Sequence, residues 1–274
     1  MGNPIVSLIV TTYNWPEALG LVLASVARQS RPPDEVVVAD DGSGRETAEA
    51  IRRILGKSGL VWRHVRHEDS GVRQSRIKNL AVRHTTGDYL IFLDHDTVPH
   101  PCFVEDHLRM RSPGAFLQGK RAFLPKGLTQ KVLKSGTLHP PSVLTPGLGN
   151  RKNALRWPGL GRRLAWSKRF QRTLRGCNLS MSREDFLRVD GFDEIFDSVW
   201  GREDSDICYR LFYNGVRCRN LWFMALQFHL DHPTRKNRIM DAPLDRVFTE
   251  KRKRSLKGFS QLSSEGGVFQ ESGG

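Results

Sequence analysis

The stretch that decides the fold of this sequence is Tyr89-Leu90-Ile91-Phe92-Leu93-Asp94-His95-Asp96. Residues 89–93 form a short apolar and aromatic run, which is typical of a buried strand, and Gly87-Asp88 marks its entry. Two carboxylates follow one residue apart, at the carboxyl end of a strand, where open α/β sheets bind their ligands. Asp94 and Asp96 therefore form a candidate site for a hard divalent cation whose open side would meet diphosphate oxygens. A strand that simply ends in an acidic turn would leave the same pattern.

The residues before this stretch alternate between apolar runs and helix-like patterns. Strands are predicted at residues 5–11, 35–39 and 60–65, with helices after Pro16, at residues 45–55 and at residues 72–84. Strand and helix alternating at this spacing imply right-handed crossovers and a parallel sheet. The predicted fold class is therefore α/β, and residues 4–98 are interpreted as a nucleotide-binding half.

The residues after Pro99 are less regular, because proline and glycine are frequent. A strand is predicted near residues 115–124, followed by a mobile basic segment at residues 126–163, since long irregular segments inside domains are often lids or binding loops. Further on we predict strands at residues 175–181 and 225–230 and helices at residues 183–189 and 203–214. Residues 249–274 are basic and then rich in serine and glycine, which is typical of a helix that gives way to a flexible tail.

Charge is unevenly distributed along the chain, which has 274 residues and a formal net charge of +14. No acidic residue occurs between Asp106 and Glu184, whereas lysine and arginine recur throughout. That segment should carry a strong positive potential, to which a nucleic acid, an anionic membrane surface or a phosphorylated acceptor could bind. A basic, solvated surface without a partner explains the charge equally well.

The composition is that of a soluble globular protein, with 38% hydrophobic and 26% charged residues. No stretch approaches the roughly 20 apolar residues that a membrane span needs, and no signal peptide is expected. The four cysteines lack zinc-site spacing, so reduced thiols are expected. These observations favour a cytoplasmic location, and the basic segment would also allow peripheral binding to the inner face of the cell membrane.

A second acidic cluster, Trp200-Gly201-Arg202-Glu203-Asp204, precedes a predicted helix. Glu203 and Asp204 would then stand at the helix N-terminus, where the helix dipole keeps carboxylates ionised. An ionised carboxylate in a cleft can act as a general base toward a hydroxyl. Capping of the helix without any catalytic role would use the same residue types.

Two histidines, His229 and His232, follow the last predicted strand. A neutral imidazole is a common metal ligand, so either histidine could complete a site begun by Asp96. A histidine at a strand end is also often a hydrogen-bonded structural residue, and these residues alone do not separate the two interpretations.

Taken together, the motifs resemble those of the family 2 glycosyltransferases, which have the GT-A fold. The resemblance covers residues 4–233 and rests on the order and spacing of Thr11-Thr12-Tyr13-Asn14, Asp40-Asp41-Gly42-Ser43, His67-Glu68-Asp69-Ser70-Gly71, Arg76-Ile77-Lys78-Asn79-Leu80-Ala81, Asp94-His95-Asp96 and Trp200-Gly201-Arg202-Glu203-Asp204. The last motif is similar to the C-terminal element of galactosyltransferase-type and chondroitin-polymerase-type members.

The fold that this resemblance implies is a mostly parallel, Rossmann-like central sheet flanked by helices, with a smaller mixed sheet at the acceptor side. We expect one catalytic domain at residues 1–248. Within it, residues 4–98 would bind the nucleotide and residues 99–233 would hold the acceptor and the catalytic groups. Residues 249–274 would follow as a basic helix and tail.

The resemblance also implies a role for each motif residue. The nucleotide would be bound by Thr11, Tyr13, Asp40, Arg76, Asn79, Asp94 and His95, with Asp40 on the uracil and Arg76 and Asn79 near the base and the diphosphate. A Mn²⁺ or Mg²⁺ ion would be bound by Asp96 and His229, with His232 as the substitute ligand. Asp204 would activate the acceptor hydroxyl, Glu203 would hold sugar hydroxyls, and the sugar side would be lined by Trp200, Gly201 and Arg202.

The implied reaction is inverting transfer from a UDP-sugar to a hydroxyl of a glycan or a lipid-linked acceptor, phosphorylated or not, in surface polysaccharide or lipopolysaccharide synthesis. His95 and Arg202 depart from the family pattern, which often has an acid or a small residue at the first position and glycine at the second, so the donor sugar stays open. One alternative is a sugar nucleotidyltransferase-like enzyme, although its usual glycine- and lysine-rich phosphate loop is missing near the first strand. The other is a basic nucleic-acid-binding protein, for which only the charge argues.

Overall fold

A seven-stranded sheet forms the centre of the computed structural model, which describes residues 3–165, 176–197, 202–233 and 242–263. Within these ranges the strands are β1 (Val6–Thr12), β2 (Glu35–Asp40), β3 (Val61–Arg66), β4 (Tyr89–Asp94), β5 (Thr97–Pro99), β6 (Ala115–Gln118), β7 (Ala122–Phe123), β8 (Asn178–Ser182), β9 (Arg217–Asn220) and β10 (Gln227–His229). The helices are α1 (Pro16–Val26), α2 (Arg45–Leu55), α3 (Gln74–Arg83), α4 (Phe103–Met110), α5 (Lys126–Ser135), α6 (Pro158–Leu164), α7 (Arg183–Arg188), α8 (Glu203–Tyr213) and α9 (Ala242–Glu250).

The large sheet has the strand order β3-β2-β1-β4-β8-β6-β9. Strands β3, β2, β1 and β4 are mutually parallel, whereas β8 runs antiparallel to both β4 and β6. The register pairs Thr11 with Asp94 and Thr12 with Asp40, so the carboxyl ends of β1, β2 and β4 meet at one edge. This edge is where a sheet of this kind binds its ligands.

The central strands β1, β2 and β4 are buried on both faces, which is why apolar residues dominate their sequences. Every residue of β1 and β2 is buried. Side chains alternate between the faces, so Leu8 and Val10 pack with α1 on one face, and Ile9 packs with α3, α7 and α8 on the other. The predicted α/β class with a mostly parallel sheet and a smaller mixed sheet is confirmed.

The small sheet has the order β5-β10-β7 and brings the last strand back to the end of β4. β10 pairs antiparallel with β5 and parallel with β7. The backbone N–H of Leu230 then donates to the carbonyl of Asp96 at 2.9 Å. This sheet therefore places the residues around His229 beside Asp96.

The strand predicted near residues 115–124 is in fact two strands in two different sheets, β6 and β7. The chain changes sheet at Gly119, where an ideal Cβ atom would lie 2.0 Å from the Asn178 side chain. The backbone can approach Asn178 this closely only because glycine has no side chain, and the continuous strand that the sequence predicts is interrupted there.

The basic segment at residues 126–163 contains more regular structure than the sequence predicts. It includes α5, a 3₁₀ turn at Arg151–Ala154 and most of α6. Helical spacing is hard to recognise here because proline and glycine interrupt the pattern every few residues.

The C-terminal helix also differs from its prediction, since α9 spans Ala242–Glu250 and ends where the basic run begins. After it, residues 251–263 pack along the turn that follows α7: the backbone N–H groups of Leu256 and Lys257 donate to Asp193, and that of Ser260 donates to Asp190. The predicted tail beyond residue 263 lies outside the described residues. None of the helices in the described ranges is long and apolar enough to cross a bilayer.

Candidate active site

A cleft lies over the carboxyl ends of β1, β2 and β4. Several residues that the sequence assigns to the nucleotide or the metal line this cleft, namely Thr11, Tyr13, Asp94, His95, Asp96 and His232. Asp41, Trp15 and Gln74 also line it. The structure therefore brings these separate motifs together at the edge that the parallel register creates.

Asp96, His229 and His232 form a cluster of candidate metal ligands at one end of the cleft. The Nε2 atoms of His229 and His232 lie 3.2 and 3.1 Å from the same Oδ2 atom of Asp96. One ligand atom from each residue lies within 4.8 Å of the others. The sequence left the choice between the two histidines open, and the structure places both next to Asp96.

The chemistry of this cluster fits a divalent cation. Burial by itself would raise the pKa of Asp96, but hydrogen bonds from His229 and His232 outweigh it and hold that pKa well below its usual range. The other oxygen of Asp96, Oδ1, is buried without a hydrogen-bond partner. An ionised oxygen in that position is costly unless a cation or water satisfies it, and a carboxylate with two imidazoles is a donor set that divalent first-row metal ions accept.

His95 is held beside the cluster by the carbonyl oxygen of Thr11. The backbone N–H of His95 donates to this oxygen at 2.9 Å, and ring Nδ1 lies 3.1 Å from it. A carbonyl oxygen can only accept, so this contact requires the proton on Nδ1. Burial lowers the pKa of His95. A neutral ring facing the cleft follows, packed against Trp15 at 6.1 Å between ring centroids.

The structure places Asp41 rather than Asp40 in the cleft, whereas Asp40 is the residue that the sequence predicts to bind the nucleotide. Asp40 is fully buried, and its oxygens accept from the Ser43 backbone N–H and contact His64 Nε2, both at 2.8 Å. The direct contact with uracil predicted for Asp40 does not fit this burial. Asp41 lines the cleft instead, and its carboxylate is held by His67 at 2.6 Å.

A second cluster is a buried ion pair that joins α3 to the start of α8. The ammonium of Lys78 lies 3.0 Å from Glu203 Oε1 and 3.2 Å from Asp204 Oδ1. Burial disfavours the charged ammonium, but the charges of Asp204 and Glu203 outweigh it and raise the pKa of Lys78. Lys78 was part of a recognised motif, yet the sequence analysis gave it no role, because nothing local shows that it faces residues 125 positions away.

The carboxylate of Asp204 is positioned by one further contact. Its Oδ2 accepts from the backbone N–H of Gly176 at 2.7 Å, and its side chain keeps 23% of its surface exposed. Glu203 is more enclosed, and burial raises its pKa although Lys78 opposes the shift. Asp204 is thus the member of the pair that a bound hydroxyl can reach.

Asp94 connects the two clusters electrostatically. Burial raises its pKa to about 7 against the opposing charge of Lys78, and the charges of Asp96 and Asp204 contribute to the rise. Burial raises the pKa of the Cys177 thiol, and the charges of the same three carboxylates add to this rise. Gly176, which donates to Asp204, is followed directly by Cys177, whose Sγ lies 3.1 Å from Gln227 Nε2 on β10, the strand that also carries His229. The carboxylate pair and the candidate metal ligands therefore border a common region.

Arg76 and Asn79 lie away from the cleft, in contrast to their predicted roles near the diphosphate. Arg76 reaches Glu194 at 3.6 Å and Ser263 at 3.1 Å. Asn79 is fully buried and exchanges two hydrogen bonds of 2.8 Å with the backbone of Phe192. These residues are three apart and share one side of α3, so both pack on the C-terminal part of the chain, and Lys78 points elsewhere.

The remaining predicted residues are Trp200, Gly201 and Arg202. Trp200 and Gly201 lie outside the described residues. Arg202 precedes α8 with a φ of 131°, a left-handed conformation that favours glycine, and its backbone N–H donates to Glu203 at 3.1 Å. This strained position explains physically why glycine suits it well.

Arg121 is a second residue that the sequence analysis did not single out. Its guanidinium lies over the ring of Phe123 at 5.1 Å, and that ring lies 5.2 Å from the ring of His229. Burial raises the pKa of Asp94, and the hydrogen bond with Asp96 raises the pKa of His232; the positive charge of Arg121 opposes both rises. Arg121 therefore acts on the metal side of the cleft. The sequence could not predict this placement, because it depends on β6 and β7 lying in two different sheets.

These features define an α/β protein of the GT-A type with a candidate metal site at the sheet edge, and solved structures support that class. A mannosyltransferase from Pyrobaculum calidifontis, in complex with GDP-Man and Mn²⁺, matches 98% of this chain and 66% of its own at 21% identity, with a TM-score of 0.60. TarS of S. aureus, in complex with UDP-GlcNAc, matches 84% of this chain and 59% of its own at 16% identity, with a TM-score of 0.55. At these identities the likeness concerns the fold.

Two family models match this chain, and they confirm the resemblance that the motifs predicted. Residues 7–134 match the family described as glycosyl transferase family 2, and residues 164–233 match the N-terminal domain of galactosyltransferase. The second match contains the carboxylate pair and the histidines, and the first contains the parallel sheet and Asp96. The two matches therefore meet at the cleft.

Characterised relatives include polysaccharide synthases and a glucosyltransferase. Chondroitin synthase of Escherichia coli is 27% identical over 84% of this chain and 35% of its own length, and hyaluronan synthase of Pasteurella multocida is 29% identical over 84% and 25%. Validoxylamine A glucosyltransferase of Streptomyces hygroscopicus subsp. limoneus is 29% identical over 78% and 49%. The chain thus spans between a quarter and a half of the length of these relatives.

Proposed function

We propose that the chain transfers a sugar, with inversion at the anomeric carbon, from a UDP-sugar to a hydroxyl of a glycan or lipid-linked acceptor. The observation that carries this proposal is the arrangement of two chemically different clusters around Asp94. One is the donor set of Asp96 and two histidines, and the other is the partly exposed carboxylate of Asp204. The match to glycosyl transferase family 2 and the sugar nucleotides bound by structural relatives support a nucleotide-sugar donor.

In the proposed reaction the acceptor hydroxyl oxygen attacks the anomeric carbon while the bond from that carbon to the nucleoside diphosphate breaks. The hydroxyl proton passes to Asp204, which Lys78 and the Gly176 N–H hold in place. No covalent intermediate with the chain is needed. Glu203, which is more enclosed, would hold Lys78 beside Asp204 and would not contact sugar hydroxyls directly.

Asp96, His229 and His232 would hold Mn²⁺ or Mg²⁺, whose charge would neutralise the departing diphosphate as a Lewis acid. Thr11, Tyr13 and Asp41 would line the nucleotide end of the cleft. Tyr13 is already fixed there, because its hydroxyl donates to Asp69 at 3.0 Å. The cleft would thus bind the nucleoside at one end and the diphosphate beside the metal ligands at the other.

The acceptor side is proposed to involve Arg202 and the basic segment at residues 126–163. The positive charge of this segment suits a phosphorylated or lipid-linked acceptor in surface polysaccharide or lipopolysaccharide synthesis. Such an acceptor would bring the protein to the cytoplasmic face of a membrane.

The proposal is tested by a panel of nucleotide sugars, measured by thermal shift with and without Mn²⁺, followed by product analysis with the best donor. Sugar transfer predicts release of UDP, whereas release of pyrophosphate would indicate nucleotidyl transfer. Asp204→Asn should lower kcat by about 10²–10⁴-fold and leave the affinity for UDP unchanged. Asp245→Asn on α9 removes an exposed carboxylate and serves as the matched control. Turnover by Asp204→Asn at the control rate would contradict the assignment of Asp204 as the base.

A further inference from the structure

The chain carries an exposed surface of apolar and basic side chains at α6, which we call the α6 surface and define as Leu155, Trp157, Arg162, Arg163 and Leu164. The three apolar side chains keep 40%, 56% and 48% of their surface exposed in that order. Both arginines are exposed as well. Three large apolar side chains are thus exposed within ten residues of the chain, whereas ordinary surfaces expose such residues singly.

The α6 surface is firmly attached to the rest of the fold. The Trp157 backbone N–H donates to the carbonyl of Phe223 at 2.9 Å, and the Asn220 N–H donates to the carbonyl of Ala165 at 2.6 Å. Gly161 packs so closely that an ideal Cβ atom would lie 2.3 Å from the carbonyl oxygen of Trp222. One side of α6 is therefore fixed against the loop before β10, and the exposed side chains point away from a rigid support.

The segment of the chain that carries the α6 surface contains basic residues and no acidic ones. No acidic residue occurs between Asp106 and Glu184, and Asp106 is itself fully buried in an ion pair with Arg156 at 2.6 Å. Exposed basic residues continue on α5 and the following turn, namely Lys126, Lys131, Lys134, Arg151 and Lys152. An anionic partner would thus meet no repulsive carboxylate along this segment.

We infer that the α6 surface docks onto an anionic lipid bilayer. Tryptophan favours the interface between lipid and water, and leucine side chains favour the acyl region beneath it. Basic residues around the insertion add attraction to anionic headgroups, on the order of 1 kcal/mol each when close to the surface. A nucleic acid or an acidic polysaccharide would use the arginines, but would gain little from Leu155 and Leu164, which have neither charge nor an aromatic face.

Docking in this way deepens the proposed function. The loop that supports α6 leads directly into β10, which carries His229. A bilayer at the α6 surface would therefore lie next to the acceptor half of the chain, which suits an acceptor attached to a lipid. The membrane inference rests on the proposed function only for this last point.

The experiment is sedimentation of the full chain with phosphatidylcholine vesicles, with and without phosphatidylglycerol, at low and high salt. We expect binding only to the anionic vesicles, weakened by salt. The double variant Arg162→Glu/Arg163→Glu should weaken this binding by roughly tenfold or more. The matched control is Arg53→Glu/Lys57→Glu on and just after α2, which changes net charge equally at exposed positions. An equal loss in the control variant would show that net charge alone matters and would overturn the inference.

The apolar contribution is tested separately with Trp157→Ser and Leu164→Ser. Each should weaken vesicle binding severalfold at both salt concentrations, because burial of apolar area is not screened. Unchanged binding in both variants, or equal binding of the wild type to a soluble acidic polysaccharide, would contradict membrane docking and indicate a polyanion site. UDP binding measured without vesicles reports on the cleft alone. Intact UDP binding together with absent vesicle binding would therefore contradict membrane docking without contradicting the proposed function.

Discussion

Lys78→Met should destabilise the protein strongly and stop turnover, because one buried ammonium holds two carboxylates. The Lys78 side chain is 1% exposed, and its partners Glu203 and Asp204 are 7% and 23% exposed. Removing one partner of a buried ion pair costs about 3–5 kcal/mol, since the remaining charge loses its compensation. Asp204 can be partly hydrated, so the lower value of about 3 kcal/mol applies. At about 2–4 °C per kcal/mol, Tm should fall by about 6–12 °C.

The assay is urea unfolding followed by circular dichroism, combined with turnover of the best donor. The double variant Lys78→Met/Glu203→Gln removes the cation together with the more deeply buried anion. It should recover most of the lost free energy of unfolding, whereas turnover should stay low because Asp204 is no longer positioned. Lys131→Met, an exposed lysine on α5, is the matched control and should change stability by less than about 0.5 kcal/mol. A decrease of less than about 1 kcal/mol in the free energy of unfolding of Lys78→Met would contradict the role of Lys78 as a buried counter-ion. So would a double variant that is no more stable than the single one.

Three further predictions concern the metal site, the pH dependence and a close contact. Asp96→Asn should abolish the rise in Tm with Mn²⁺, which for the wild type corresponds to about 2.7 kcal/mol at a hundredfold excess over Kd; a preserved rise would place the ion elsewhere. Burial lowers the pKa of His107 from 6.5 to about 3. The unfolded chain therefore binds one more proton between these values, and stability should fall as pH drops below 6.5, by up to about 1.4 kcal/mol per pH unit. His107→Gln should flatten this slope in urea unfolding, and an unchanged slope would contradict the assignment. Gly176→Ala places a Cβ atom 2.0 Å from Asp204 Oδ1 and should lower kcat at least about tenfold, whereas Gly127→Ala, with open space around it, should leave kcat unchanged.

The fold could be predicted from the sequence because local patterns are sufficient for it. The runs that form β1, β2 and β4 are buried almost throughout, so apolar residues dominate them and few polar residues interrupt the pattern. The prediction was wrong at residues 115–124, where the chain changes sheet at Gly119. Nothing in the local spacing indicates that change, because its cause is the distant side chain of Asn178.

Site residues could be predicted where they follow directly from a strand end, and less well where they lie on a helix. Asp94 and Asp96 follow β4, and the parallel register brings the end of β4 beside Thr11 whatever the rest of the chain does. On α3 the motif was recognised, but its faces were not: Arg76 and Asn79 pack on the C-terminal part of the chain, and Lys78 contacts the carboxylate pair instead. A helical motif gives the period of its faces, and only the packed neighbours decide which face meets the cleft.

The sequence by itself determined the strand-helix alternation, the common edge of β1, β2 and β4, and the presence of carboxylates there. The tertiary structure alone decided that both histidines contact Asp96, that Asp41 rather than Asp40 lines the cleft, and that Lys78 joins Glu203 to Asp204. The physical reason is the range of the forces involved. Backbone conformation and burial pattern follow from residues a few positions apart, whereas ion pairs and hydrogen bonds form between whichever groups the packed chain brings within a few ångströms.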